Sequence, residues 1–458
     1  MQHRFSPAIV LVFSVTPLAC SLIVSSELDG KTSDTGIQDA GKEASEDADA
    51  SGDRAETEPL DGEAGACDAD RCGETCTDLM TDANHCGSCD NVCPSGRSCK
   101  GGSCESGFRA MSEDGAPTAR LRACTAWTGK EMFVWGGING EGNFVHSGGA
   151  YDPTTDTWRS VNTKGAPSPR ELATCVAMHG GVFVWSGADA TTLYDDGAVW
   201  DPASNTWSSV TDSNKPSPRI RGIGLWTGER VLLWGGKNLD GTQERSGALF
   251  DPVANAWKPV ATSAAPERSK EQGWAWTGAF LYTFGSRDDA EIQVASEFHR
   301  YDPASNAWEP VLADGAPPPR SNSFVVWTGT HLLVWGGLDS NRMGLNDGAS
   351  FDPAASSWTP MSAVQPPSGR GIVVRSGWTA WTGDRMLVAG GVSSDVVAMD
   401  LALYDPKAAP DLAWGQAIVW EPLNPHELGV GVWSGKELIV WGGSDGSSFT
   451  TSGVRWMP

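Results

Sequence analysis

From residue 108 to the end of the chain, short apolar runs alternate with polar turns at a regular spacing. One phrase, an apolar run that ends in Trp-Gly-Gly or a variant of it, recurs at steps of 49 to 54 residues. A second phrase, an aromatic residue followed by Asp-Pro, keeps the same interval. Because two independent phrases stay in step, we predict an internal repeat. The first phrase begins at Trp135, Trp185, Trp234, Phe284, Trp335, Ala389 and Trp441.

Each copy of the repeat carries the pattern of four short strands separated by turns. In the first copy these strands are residues 120–127, the fully apolar run 132–135, 149–151 and 158–161. A run that is apolar at every position is typical of a strand buried on both faces, and Asp-Pro favours a tight turn before the last strand. Four strands in a period of about 50 residues predict one blade of a β-propeller.

Gly-Gly after the second strand, with aromatic residues on the last two strands, is the mark of the kelch repeat, and residues 108–458 resemble that family. We therefore predict an all-β, seven-bladed kelch-type β-propeller. The last copy supplies only three strands, whereas residues 108–111 match the fourth strand of a copy. This N-terminal strand is predicted to close the last blade and to remove an open sheet edge. A WD-repeat propeller is disfavoured because its Gly-His and Trp-Asp phrases are missing.

The start of the chain has the form of an export signal. Residues 1–19 combine a weakly basic start with a short apolar run, which predicts a signal peptide. Cys20 follows a small residue and resembles the lipobox of bacterial lipoproteins, although Pro17 stands where those boxes usually carry Leu. The resemblance implies that Cys20 is acylated and becomes the mature N-terminus. Ordinary cleavage and free secretion is the alternative.

Residues 20–66 are predicted to be a lipid-anchored, disordered acidic linker. Residues 27–63 contain 13 acidic against 3 basic side chains, so this stretch has little apolar surface to bury. The whole chain has a formal net charge of −24, which argues against nucleic acid or an anionic lipid surface as a partner. We expect a monomer that touches the membrane through its N-terminal lipid only, outside the cytoplasm at the bacterial cell envelope, on the outer membrane or the surface.

Residues 67–107 are predicted to form a small disulfide-rich module, since they hold eight cysteines and no aromatic residue. The pairing stays open, and the spacing of Cys86 and Cys89 leaves zinc as an alternative. The string from Cys72 to Cys93 resembles the Cys-rich module of plant stigma-specific secreted proteins, which implies extracellular life. The eight cysteines are Cys67, Cys72, Cys76, Cys86, Cys89, Cys93, Cys99 and Cys104.

An arginine recurs in the linker that leads from one blade into the next. These linkers enter the innermost strands, so we expect the six side chains to surround the mouth of the central channel. The equivalent face binds the ligand in peptide-binding kelch propellers, and arginine suits carboxylate or phosphate groups through bidentate hydrogen bonds. The alternative, which we favour, is that each arginine ties its linker to neighbouring carbonyl groups. The six linker arginines are Arg120, Arg170, Arg219, Arg268, Arg320 and Arg370.

The loops after each Gly-Gly phrase lie on the same predicted face and are polar and variable, as binding loops on a rigid scaffold are. Their carboxylates leave calcium open as a ligand, but they show no ordered ligand spacing. No other cofactor is expected. The acidic residues of these loops include Asp240, Asp288, Asp289, Asp339 and Asp347.

Three tryptophans and two cysteines of the propeller bear on partners and stability. Trp residues that repeat with the strands are expected in the blade cores, whereas Trp274, Trp378 and Trp414 fall off those positions and are candidates for contact with a partner. Cys124 and Cys175 lie in the first strands of the first two copies, where we favour two buried thiols over a disulfide between blades.

The predicted function is a binding or interaction module for a protein or carbohydrate partner, with a carbohydrate-active enzyme as the alternative. Galactose oxidase, a kelch propeller, holds copper with Tyr and His near its axis. Here only His146, His426 and Tyr194 are available on the loop face, which argues against copper. A kelch-type sialic acid mutarotase needs only a positioned acid and base. No catalytic residue is predicted.

Overall fold

The computed structural model of the chain describes residues 70–72, 75–90, 93, 99–104, 107–288, 290, 293–371, 377–393, 396–398, 400–415, 417–419, 429–444 and 448–458. The predicted signal peptide, Cys20, the acidic linker and Cys67 lie outside the described residues. In the part that is described, no helix is long and apolar enough to cross a membrane.

Seven four-stranded antiparallel sheets follow one another along the chain and form the blades of a β-propeller. The inner strands are Cys124–Trp127, Thr174–Met178, Ile223–Trp226, Gly273–Trp276, Phe324–Trp327, Gly377–Trp381 and Val430–Trp433. The second strands are Met132–Trp135, Gly181–Trp185, Val231–Trp234, Leu281–Arg287, Leu332–Trp335, Met386–Gly390 and Leu438–Trp441. The third strands are Gly148–Asp152, Gly197–Asp201, Gly247–Asp251, Val294–Asp302, Gly348–Asp352, Asp400–Tyr404 and Gly453–Trp456. The outer strands are Thr157–Val161, Thr206–Ser209, Ala256–Pro259, Ala307–Pro310, Ser357–Pro360, Ile418–Val419 and Phe108–Ala110.

The N-terminal strand closes the ring, as predicted. Phe108–Ala110 pairs with the third strand of the seventh blade, with Val454 opposite Ala110 and Trp456 opposite Phe108. The backbone N–H of Met111 continues the pairing by donating to the Gly453 carbonyl over 2.9 Å. The last sheet is therefore built from both ends of the propeller sequence, and the seven-bladed all-β prediction is confirmed.

The core lies between the blades and depends on aromatic pairs. The second strand of the first blade, Met132–Trp135, is buried at every residue, as its apolar pattern predicts. In six of the seven blades, an aromatic residue at or near the end of the second strand packs against the Trp on or just before the outer strand of the following blade, because neighbouring sheets meet face to face. Ring centroids are 5.8 Å apart for Trp135 and Trp207, 4.7 Å for Trp185 and Trp257, 4.6 Å for Trp234 and Trp308, 5.4 Å for Phe284 and Trp358, 5.1 Å for Trp335 and Trp414, and 5.3 Å for Trp441 and Trp158.

The inner strands are shorter than predicted. In the first blade, Arg120–Leu121 pairs separately with Ile138–Asn139, and the inner strand begins only at Cys124. Between these two pieces Arg122 has a φ of 55°, which breaks the extended backbone. Leu172 and Arg221 repeat this conformation at 55° and 59°. The prediction of one continuous strand over residues 120–127 was therefore wrong, because the chain bends at Arg122, where the linker enters the first blade.

The pairing of the two propeller cysteines differs from the sequence prediction. Cys124 and Cys175 form a disulfide between the first two blades, with Cα atoms 5.6 Å apart, so the favoured pair of buried thiols was wrong. Strand register explains it: Cys124 lies opposite Trp135, whereas Cys175 lies one position further along its strand, opposite Val184. The two inner strands lie side by side near the axis, which brings the Cα atoms within bonding reach.

The Cys-rich segment contains two short hairpins. Asp70–Cys72 pairs with Thr75–Thr77, and Cys99–Lys100 pairs with Ser103–Cys104. Disulfides join Cys72 to Cys89 and Cys86 to Cys99, and Cys93 is also disulfide-bonded. Because Cys86 and Cys89 are both used in disulfides, the zinc alternative was wrong. A further two-stranded ribbon, Val392–Ser393 with Val396–Val397, belongs to the sixth blade.

Candidate functional site

The seven inner strands surround an axial channel that contains two cavities. Inner strands of neighbouring blades lie side by side, so residues from different blades face a common axis. The larger cavity, about 450 Å³, lies among the fourth, fifth and sixth blades. The smaller one, about 290 Å³, is lined by residues of six blades. Trp274 lines both. Linkers and the loops after Gly-Gly meet at one end of the channel, the loop face, and the turns that follow the inner strands form the other, the hairpin face.

Five of the six linker arginines are buried at the loop face, each at most 2% exposed: Arg120, Arg170, Arg219, Arg320 and Arg370. Arg219 shows the arrangement. Its Nη1 donates to the carbonyl of Gly235, over 3.1 Å, and to that of Ser246, over 2.6 Å. Its Nε and Nη2 donate to Ser217 and Ser246, so all five N–H groups have partners inside the protein. This supports the structural interpretation, in which the arginine ties the linker to its own Gly-Gly loop.

The five buried guanidinium groups differ in whether an acidic side chain pairs with them. Arg170 and Arg320 pair with Asp196 and Asp347 over 2.6 and 3.0 Å, and Arg370 pairs with Asp400. Arg120 and Arg219 meet serine hydroxyls instead, and burial lowers the pKa of each guanidinium to about 10. Ligand contact through the six linker arginines stays a prediction.

The fourth blade departs from the arginine pattern. Ser269, not Arg268, stands four residues before the inner strand, where the first, second, third and fifth blades carry their arginine. Ser269 is buried, and its hydroxyl donates to the Glu244 carbonyl over 2.6 Å. The Arg268 side chain is 29% exposed, and its Nε lies 4.0 Å from Glu297. Arg268 is therefore not equivalent to the five buried arginines.

Charged side chains beside the channel mouth are paired across blades. Arg122 Nη1 lies 3.1 Å from Glu171 of the next blade. The carboxylate of Glu271 accepts from Arg287 Nε over 3.2 Å and from Asn322 Nδ2 over 2.9 Å. Arg122, Glu171, Glu271 and Asn322 stand two or three residues before an inner strand, and Arg287 ends a second strand. The charges of these two ion pairs at the loop-face mouth are therefore compensated.

Two of the three off-pattern tryptophans line the channel. Trp274 is 37% exposed and borders both cavities, and Trp378 borders the smaller one. Trp414 is buried, stacks on Tyr404 and donates its indole N–H to the Ser362 carbonyl over 3.1 Å. It occupies the place of an outer-strand Trp, displaced along the chain by an insertion. The contact role expected for Trp414 was therefore wrong.

Sequence reasoning missed three further channel residues, Trp276, Trp327 and Trp381, which it placed in the blade cores. Each is the last residue of its inner strand and pairs with the first residue of the second strand. The Thr-Gly turn that follows each of them is the signal for this position. Their side chains are half-buried and line the larger cavity at the hairpin face.

The residues considered for copper and calcium are separated or engaged elsewhere. The Tyr194 hydroxyl donates to Asp189 over 2.6 Å and its ring lies 4.0 Å from the Arg170 guanidinium, whereas His146 packs edge-on against Trp135. His426 and Asp289 lie outside the described residues. Across the described ranges, no group of three or more His, Cys, Asp or Glu side chains is placed to hold a metal ion.

The carboxylates of the loops are engaged in their own turns. Asp339 caps its loop by accepting from the backbone N–H of Asn341 and of Met343, each over 2.8 Å. Asp240 does the same toward Thr242, over 2.8 Å. Within the described residues, Asp288 belongs to no group of three or more His, Cys, Asp or Glu side chains that could hold a metal ion.

One acid and one base of the fourth blade have shifted pKa values. Burial raises the pKa of Glu297 and lowers the pKa of His299. The two residues are separated by one position on the third strand, so their side chains lie on the same face of the sheet. His299 Nδ1 is buried and has no partner in the described part of the protein. This pair is absent from the repeat pattern of the other blades.

The comparison with known families agrees with this architecture. A family model described as the KLHDC2/KLHL20/DRC7 Kelch-repeats domain matches residues 106–276 and 272–454. A search of curated proteins found no match. The matched ranges span nearly all of the propeller and more than half of the chain. Together with the seven closed blades, they show that the chain belongs to the kelch-repeat family.

Proposed function

We propose that the protein is an exported, lipid-anchored binding module that holds a protein or carbohydrate partner at the bacterial cell envelope. A kelch β-propeller indicates an interaction module. The observation that carries the proposal is the axial channel, whose two cavities are lined by side chains from all seven blades. A rigid ring with a lined axial cavity suits selective binding more than a purely structural role.

Export and anchoring are supported by separate features. Three disulfides join Cys72 to Cys89, Cys86 to Cys99 and Cys124 to Cys175, and structural disulfides persist in oxidising compartments. The signal-like residues 1–19 and Cys20 supply the route and the point of acylation. The acidic residues 20–66 would then act as a flexible tether between the lipid and the folded domains.

Acylation is tested by expressing the full chain in a bacterium fed a palmitate analogue that carries a click handle. We expect label in the membrane fraction for the natural chain and none for Cys20→Ala. Label-free protein in the culture medium for both chains would contradict anchoring and support free secretion.

Binding is tested by a thermal-shift screen of the full chain against neutral and acidic sugars, acidic peptides, calcium and copper. A saturable rise in Tm with at least one sugar or peptide supports the proposal. Comparison with Arg170→Ala and Arg320→Ala asks whether the linker arginines take part. A ligand whose effect survives both changes does not use them.

A carbohydrate-active enzyme, similar to the kelch-type sialic acid mutarotase or, less favoured, to galactose oxidase, is the second candidate. The Glu297 and His299 pair favours the first of these, because oppositely shifted pKa values are typical of an acid and a base. Saturation-transfer NMR on N-acetylneuraminic acid measures anomer exchange directly. Faster exchange that Glu297→Gln and His299→Ala both abolish would establish the enzyme, and exchange at the buffer rate would contradict it.

A further inference from the structure

The turns of the hairpin face carry a ring of tryptophans around the channel exit. Six of the seven blades end their inner strand in Trp, and the second blade has Ala177 at that register position. All six side chains are half-buried, so each packs on its blade with one part and faces solvent with another. The tryptophan ring consists of Trp127, Trp226, Trp276, Trp327, Trp381 and Trp433.

The indole N–H groups of the three ring members that line the larger cavity are available to a ligand. Some outer-strand tryptophans use theirs inside the protein: Trp158 donates to the Ser112 carbonyl over 2.9 Å and Trp257 to the Thr211 carbonyl over 3.1 Å. The Nε1 atoms of two others, Trp308 and Trp358, are buried without a partner among the described residues. Within the described residues, the ring members Trp276, Trp327 and Trp381 make no hydrogen bond through Nε1. None of these three Nε1 atoms is both buried and without a partner, so solvent reaches these donors.

Three of the ring members, Trp276, Trp327 and Trp381, continue into the larger cavity, where Trp274 adds a fourth indole. None of the twelve residues that line this cavity is ionisable. Its volume of about 450 Å³ lies within the range usual for small-molecule sites. An indole-lined, uncharged cavity in a protein with a net charge of −24 disfavours an anionic ligand.

The opposite end of the same cavity is polar and incompletely hydrogen-bonded. Gln272 and Ser323 line it, and Gln272 Nε2, Gln272 Oε1 and Ser323 Oγ are buried without a partner in the described part of the chain. Buried polar atoms normally find partners, and each exception requires an explanation. An amide and a hydroxyl together offer donors and acceptors, which a purely apolar ligand would leave unused.

Resting on the proposed binding function, we infer that the larger cavity binds an uncharged oligosaccharide that enters from the hairpin face. A sugar ring presents C–H groups to an aromatic face and hydroxyls that both donate and accept at its rim. The indole rings match the C–H groups of the sugar. The free Nε1–H groups, together with the side chains of Gln272 and Ser323, match its hydroxyls. This entrance lies opposite the linker arginines and the variable loops.

The test is isothermal titration of the full chain with cellotetraose, maltotetraose, chitotetraose and xylotetraose, and with trigalacturonic acid as the anionic comparison. We expect at least one neutral tetrasaccharide to bind and the anionic one not to bind. Trp327→Leu should weaken binding at least tenfold. Trp226→Leu is the matched control, because Trp226 holds the same ring position but lines neither cavity, and it should leave affinity unchanged.

A second variant separates binding from folding. Gln272→Leu removes an amide that has no partner among the described residues, so Tm should stay level or rise while affinity for the neutral tetrasaccharide falls. The inference is overturned if no neutral tetrasaccharide binds or if Trp327→Leu and Gln272→Leu both bind as the natural chain does. An acidic peptide that binds irrespective of Trp327→Leu would also overturn it, yet would leave the proposed binding function standing.

Discussion

Replacing a buried linker arginine should destabilise the propeller far more than replacing the exposed one. In Arg219→Met, the carbonyls of Gly235 and Ser246 both lose a donor, and only the Ser246 carbonyl keeps another one, the backbone N–H of Gly235, among the described residues. A buried carbonyl left without a partner costs about 1–3 kcal/mol. Removing the guanidinium also removes the cost of burying its charge. The same burial lowers the pKa of Arg219 to about 10. We expect a net loss of about 3 kcal/mol, the lower end of the effect of breaking a buried charged network.

Arg268→Met is the matched control. Its side chain is 29% exposed, and its ion-pair contact with Glu297 is 4.0 Å long, so the loss should stay below about 1 kcal/mol. The assay is differential scanning calorimetry of the full chain. With an unfolding entropy of about 2.1 cal/mol/K per residue, about 3 kcal/mol lowers the Tm of about 350 residues by roughly 4 °C. Equal shifts for the two variants, or no shift for Arg219→Met, would refute the proposed tie.

Three more outcomes follow from the packing and the pKa shifts. Burial, followed by the charge of Asp302, raises the pKa of Tyr301 above its usual value, so the stability that Tyr301 contributes is lost as pH rises past about 10. Tyr301→Phe should therefore flatten the fall of Tm between about pH 9 and about pH 11, and an unchanged slope would argue against this origin. Replacing Cys124 and Cys175 by Ser opens a disulfide with a sequence separation of 51 and should lower the free energy of unfolding by about 2–4 kcal/mol; free-thiol labelling of the natural chain would contradict the bond. Trp414→Ala should cost about 3–5 kcal/mol in urea titrations, because the indole is buried in the blade core, and a loss below about 1 kcal/mol would place it outside that core.

The blade count, the closure and the interblade core could be predicted because each is encoded in every copy. A second strand that is buried on both faces is mostly apolar, as in Met132–Trp135, and this pattern recurs in every blade, although the fourth blade also buries Thr283, Ser286 and Arg287 there. The N-terminal closure follows from arithmetic: three strands at one end and one at the other complete a blade. Local pattern and global fold agree at these positions.

The features that could not be predicted depend on register shifts inside single blades. In the fourth blade, Ser269 stands where the arginine is expected. Arg268 lies one residue earlier and looks in the sequence like that arginine. Trp414 is moved along the chain by an insertion but returns to the same core position. A one-residue offset decides which face a strand residue occupies, and Cys175 lies one position further along its inner strand than Cys124 does.

The channel lining was missed for a different reason. Trp327 sits at the end of its strand, where one side of the indole packs on the blade and the other faces the axis. Hydrophobic periodicity marks such a residue as apolar and does not distinguish a core position from the wall of a cavity. Only the closure of seven blades around one axis creates the cavity.

The most direct test of the central claim, that the neutral aromatic cavity is the binding site, is an NMR titration that follows the indole N–H signals of the full chain. The protein has 22 Trp residues, and single Trp→Phe variants assign their signals. On addition of a neutral tetrasaccharide that binds, we predict that the signals of Trp274, Trp276, Trp327 and Trp381 shift while those of the outer-strand tryptophans stay in place. Binding that moves none of these four signals would contradict the account.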